Sequence, residues 1–156
     1  MKGYTLIEIL VGLTIIGLLF GFGFVSFRDY SRRQALAGAA KQIQGDLRLA
    51  QEDALAGQKP DSSFCNDPAS LNGYDFDVVS ASEYKLEADC TGGLVTQKDV
   101  VLPADTSIAS DVNPILFKIL GQGTSLGSGQ SATITLAQTG TNNQATVTVS
   151  SGGEIQ

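Results

Sequence analysis

The chain has 156 residues, enough for one ordinary domain and an anchoring segment. It contains no histidine, which removes the commonest metal ligand and the commonest general base and argues against hydrolytic or metal-centred enzymology. The formal net charge is −6, and beyond Gly57 four lysines stand against eleven acids, a balance of −7. An exterior of that sign does not attract polyphosphate backbones, so nucleic acid is a poor default partner.

Taken from its start, the chain shows Gly3-Tyr4-Thr5-Leu6-Ile7-Glu8 and then nineteen residues, 9–27, without a charge. As a helix, that run nearly crosses the hydrocarbon layer of a bilayer. Glu8 stands at its head, and a carboxylate at membrane depth reads as functional, although a position this close to the N-terminus also permits snorkelling. Four glycines interrupt the run. Gly17 and Gly21 form a GxxxG pattern that lets helices approach closely, a spacing that a glycine-containing apolar segment also reaches by chance. Ala35-Leu36-Ala37 has the look of a signal-peptidase site, but it follows Arg28, Asp29, Arg32 and Arg33, and the apolar run exceeds an ordinary signal core. Lys2 on one side and three arginines on the other do not set topology; the positive-inside rule would even favour the reverse orientation.

From residue 28 to 56 the pattern is that of an amphipathic helix. Leu36, Ala40, Ile43, Leu47, Ala50 and Ala54 share one stripe, with Arg32, Lys41, Asp46, Arg48, Glu52 and Asp53 largely outside it. Gly57 and Lys59-Pro60 give the stop, and 58–73 reads as a loop. Tyr74, Phe76 and Val78 alternate with Asp75 and Asp77, and Tyr84, Leu86 and Ala88 with Lys85 and Glu87, which predicts a hairpin turning at Ser80-Ala81-Ser82. Further strands are predicted at 96–102, 115–119, 131–137 and 145–150, the last two joined by a turn at Gly140-Thr141-Asn142-Asn143. The fold class is therefore α+β, with a long N-terminal helix packed on a mainly antiparallel β domain.

The stretch from Gly3 to Glu8, with a short basic leader before it and the apolar helix after it, resembles the N-terminus of type IV prepilins and type II secretion pseudopilins. Tyr4 stands where Phe is commonest in that family, and the leader Met1-Lys2-Gly3 is short. The second half resembles the GspH/FimT group of minor pilins through the Leu47 to Gln51 rhythm of the helix, Phe117 before the Gly-rich segment 121–129, the Thr-rich hairpin and a final Gly-x-Ile. The resemblance implies cleavage by prepilin peptidase after Gly3, methylation of the Tyr4 amine, and pairing of Glu8 with the N-terminal amine of a neighbouring subunit. It implies a leader (1–3), a membrane and filament-core helix (4–27), an amphipathic helix (28–57) and a globular β domain (58–156). It further implies a single-pass inner-membrane protein with its domain outside, then a pilus or pseudopilus subunit. The implied partners are other pilins and an inner-membrane assembly platform.

On the outer side of a membrane Cys65 and Cys90 would meet an oxidising compartment, where such a pair ordinarily bonds; no Cys-x-x-Cys suggests redox work. Some members of the group bind DNA through basic residues near the Gly-x-Ile element, and a DNA-binding or adhesive tip pilin is the alternative function. Here that element is Gly153-Glu154-Ile155-Gln156, with an acid in place of a base, and strands 131–137 and 145–150 contain no Lys or Arg. Asp75 and Asp77 share a strand face with Asp89 nearby, but without a calcium-loop spacing they read as solvated strand acids. The Ser and Thr residues of 124–151 have no histidine or Ser-x-x-Lys partner to activate them. No catalytic residue, metal site or cofactor is predicted.

Overall fold

The computed structural model describes residues 4–66 and 70–156, without the side chains of 21–28. One helix, α1 (Leu6–Ala56), is followed by β1 (Leu71–Ser80), β2 (Glu83–Cys90), β3 (Gly93–Val101), β4 (Thr106–Ser110), β5 (Ile115–Lys118), β6 (Ser131–Gln138) and β7 (Gln144–Ser150). The chain forms two compact units, Met1–Ala35 and Leu36–Gln156.

The helix begins where the Thr5 carbonyl accepts the amides of Glu8 and Ile9. It stops where the sequence predicts. Gly57 takes φ +60°, and the amides of Gly57 and Gln58 donate back to the carbonyls of Ala54 and Asp53. This is the Schellman arrangement, which only a residue tolerant of the left-handed region closes without strain.

In the second unit the strands form two antiparallel sheets, ordered β3-β2-β1-β5 and β4-β6-β7. The predicted hairpin is β1–β2, turning at Ala81-Ser82, and β6–β7 turns in the segment after Gln138. Alternation places Tyr84, Leu86, Ala88 and Cys90 of β2 inward, with Phe76 of β1, Ile115 and Phe117 of β5, Ala132, Ile134 and Leu136 of β6, and Val147 and Val149 of β7. These side chains and the helical stripe Leu36, Ala39, Ile43, Leu47, Ala50 and Ala54 make one continuous core.

Four details differ from the sequence reading. Ala39 is the fully buried member of its turn and Ala40 only flanks the core. Asp46, expected outside the stripe, is buried, because a tyrosine and a lysine from the sheet meet its carboxylate there. Asp75, expected in solvent, is also buried, at 8 % exposure. Strand β4 was not predicted: Ile108 is the one large apolar residue of its five, too little to mark a period of two.

Candidate assembly surface

In the first unit the apolar side chains face outward all round the helix. Leu6 is 81 % exposed, Ile7 71 %, Leu13 65 % and Phe20 77 %, and Ile9, Leu10, Val11, Ile15, Ile16, Leu18 and Leu19 are exposed as well. At about 25 cal/mol for each Å² of apolar surface, leaving such side chains in water forfeits roughly 1.5–3 kcal/mol apiece. A helix that is apolar on every side belongs in lipid or among other helices. Among the described residues no helix is long and apolar enough to cross a membrane; residues 21–27, which continue the apolar run in the sequence, lie outside the described side chains.

The residues singled out from the sequence fall as follows. Gly3 lies outside the described residues. Tyr4 is 81 % exposed just ahead of the helix, and Glu8 is exposed in the first turn, where the positive end of the helix dipole favours a carboxylate. A Cβ at Gly17 would meet nothing within 4 Å, so this side of the helix is open to a close neighbour. The corresponding surroundings of Gly21 lie outside the description. Cys65 and Cys90 are joined in a disulfide with Cα atoms 5.3 Å apart, and it ties the loop after α1 to the end of β2.

Behind the apolar segment, polar contacts lock the second half of α1 to the β domain. The Tyr84 hydroxyl donates to Asp46 Oδ2 at 2.6 Å, and Lys98 Nζ donates to Oδ1 at 2.7 Å, joining β2 and β3 to the middle of the helix. Burial and then the hydrogen bond to Asp46 push the Tyr84 hydroxyl well above its usual range. Tyr74 donates to the Gln58 carbonyl at 2.6 Å just past the helix end. Gln51 Nε2 donates to the Gly153 carbonyl at 2.9 Å, and Ile155 bridges to Val149, so the C-terminal residues are fastened to helix and sheet alike. Tyr84 and Lys98 were not singled out from the sequence; 38 and 52 residues separate them from Asp46, and no local pattern carries that pairing.

Among the described residues no group of three or more acidic or cysteine side chains is arranged to hold a metal ion. A cleft of about 170 Å³ lies between Gln51 and Leu55 of the helix and Phe117, Lys118, Gly121, Gly123 and Gly152. Lys118 gives it one cation, and Glu154 sits on the adjoining C-terminal turn. One cation beside an acid does not form a track for a phosphate backbone.

Comparison with known proteins agrees with this architecture. The sequence model of the type II transport protein GspH matches residues 39–153, and that of the prokaryotic N-terminal methylation motif matches residues 1–24. The type IV major fimbrial protein FimA of Dichelobacter nodosus is 29 % identical over 109 residues, covering 60 % of this chain and 68 % of the relative. The structure of the minor pseudopilin EpsH from the type 2 secretion system of Vibrio cholerae superposes with a TM-score of 0.54 at 12 % identity, over 78 % of this chain and 94 % of that one. That likeness concerns the fold, a helix followed by antiparallel sheets. With the GspH match spanning most of its length and the methylation motif at its head, this chain belongs to the GspH family and is a structural subunit of the pilin and pseudopilin kind.

Proposed function

We propose that the chain is a minor, tip-associated subunit of a type IV pilus or a type II secretion pseudopilus. Prepilin peptidase cuts after Gly3, and Tyr4 becomes the methylated first residue. Residues 4–27 hold the protein in the inner membrane as a single-pass anchor and later lie in the filament core. Residues 28–57 carry the domain 58–156, which is displayed in the periplasm or outside the cell. The assembly platform of the inner membrane draws the subunit into the filament.

The observation that carries this reading is the outward-facing apolar surface from Leu6 to Phe20, which finds no cover among the described residues of its own unit. Glu8 gives that surface its register. Beside the amine of a neighbouring subunit, its carboxylate stays ionised in an apolar setting that would otherwise neutralise it. The test is to express the full chain with a prepilin peptidase and measure the intact mass and first residue of the product. A mature chain starting at methylated Tyr4 is expected, with Gly3→Ala blocking the cut. A parent chain that keeps Met1 beside an active peptidase overturns the reading.

A further inference from the structure

The outward face of the four-stranded sheet carries a feature that filament assembly through α1 does not use. On β1, Gly73, Asp75 and Asp77 point to the same side, and register places Glu87 opposite Asp75, Asp89 opposite Gly73 and Lys85 opposite Asp77. Directly opposed residues of an antiparallel pair share a face with Cβ atoms about 5 Å apart. Four carboxylates, those of Asp75, Asp77, Glu87 and Asp89, are thereby gathered on one surface. Of the two nearest lysines, Lys85 pairs with Glu83 and Asp99, each at 3.7 Å, and Lys118 stands opposite Gly73 on β5.

Asp75 stands at the centre of this group with 8 % of its surface exposed, and its Oδ1 is buried without a hydrogen-bond partner. A buried acceptor left unmade costs about 1–3 kcal/mol, more when it is charged. The neighbouring carboxylates only accept: Asp77 takes a hydrogen bond from Asn113 Nδ2 at 2.8 Å and Glu87 one from Thr96 Oγ1 at 2.8 Å. A donor with positive charge suits such a set of acceptors. The surface is also flanked by apolar shoulders, Leu116 opposite Asp75 on β5 and Leu94, 54 % exposed, opposite Asp89 on β3.

From this juxtaposition we infer that the outer face of the β3-β2-β1-β5 sheet is a docking surface for an arginine-bearing segment of another protein, whose guanidinium donates to the buried carboxylate of Asp75. The carboxylates are spread at strand spacing and do not converge as a metal shell, which favours a planar ion with several donors over a divalent cation. Guanidinium supplies five donors in a fixed fork, and its flat faces and methylene stem suit the leucine shoulders. Burial first, and then Asp89, Asp77 and Glu87, push the Asp75 carboxyl from an ordinary 3.8 up to about 6, a shift that a cation bound at this face would reverse. The proposal concerns the unassembled chain and stands apart from the filament reading.

The test uses the full-length chain in detergent micelles and a fluorescent oligo-arginine peptide, with a separate titration of Ca²⁺ alone. Saturable peptide binding is expected. Asp75→Asn and Glu87→Gln should each weaken it by about tenfold or more, the range set by a lost charge-assisted hydrogen bond, while Asp61→Asn and Glu154→Gln leave it within about twofold. A thermal melt of each variant reports folding, and Asp89→Asn replaces any variant that does not fold. Equal weakening by all the substitutions would reduce the effect to general attraction by an acidic protein and overturn the proposal. Absence of saturable binding, or saturation by Ca²⁺ that Asp75→Asn abolishes, overturns it as well.

Discussion

A carboxyl crowded by other carboxyls holds its proton longer than one in water, and this gives Asp75 a measurable signature. It faces Asp77 along its own strand, Glu87 and Asp89 on β2 and the apolar Leu116 on β5, with Lys118 opposite Gly73 as the next cation on that edge. Its folded-state pKa of about 6 lies above the ordinary 3.8, so between those values the folded chain binds more protons than the unfolded one. Stability from this group is therefore full below about pH 4 and is lost as pH rises through about 6. In thermal melts across that window the parent should lose stability relative to Asp75→Asn as pH increases. Parallel curves for parent and variant would show that the group is not perturbed. The opposite economy holds at Asp46, whose buried carboxylate is matched by donors. Tyr84→Phe removes one of them and should destabilise by about 1.5–3 kcal/mol in denaturant titration. Neither site could be read from residue order. The alternation around Asp75 is that of a solvent-facing strand residue, and the burial comes from side chains on two neighbouring strands.

At the level of elements, the sequence is most legible where one segment decides its own conformation. The end of α1 follows from Gly57, and the β1–β2 and β6–β7 hairpins follow from period-two alternation on either side of polar turns. Strand β4 and the tyrosine and lysine that grip the helix depend on partners distant in sequence, and a periodic pattern does not encode those. The disulfide belongs to this scale, because it fastens a loop to β2. Residues 65 and 90 are 25 apart, and in the loop-entropy treatment closing such a loop stabilises by about 3–4 kcal/mol. Cys65→Ser with Cys90→Ser should lower the unfolding free energy of the full chain in micelles by that amount, read from the midpoint and slope of a denaturant titration together. A change below about 1 kcal/mol would mean that the loop is held by other contacts, such as the Thr91 hydroxyl that accepts the Ser70 amide.

For the whole molecule, the division of labour between the two units makes assembly separable from folding. The unit Leu36–Gln156 contains the buried core, whereas the apolar residues of Leu6 to Phe20 are exposed and contribute to stability only when something covers them. Glu8 sits on that exposed surface and does not belong to the unit that holds the core. Its replacement by Ala should leave peptidase cleavage and the melting of the β domain unchanged. If Glu8 pairs with a neighbouring amine in the assembled state, as proposed, the same change deprives that amine of its counter-ion, and removing one partner of a buried ion pair costs about 3–5 kcal/mol. Incorporation of Glu8→Ala into filaments should then fall by at least about tenfold against the parent, measured as the sheared or periplasmic filament fraction relative to total mature subunit. Glu8→Asp, which keeps the charge on a shorter stem, should recover part of that loss. If Glu8→Ala is cleaved and incorporated like the parent, the carboxylate does not set the register of assembly. Packing of the apolar helix alone would then have to do so, with the open side of Gly17 as the place to look.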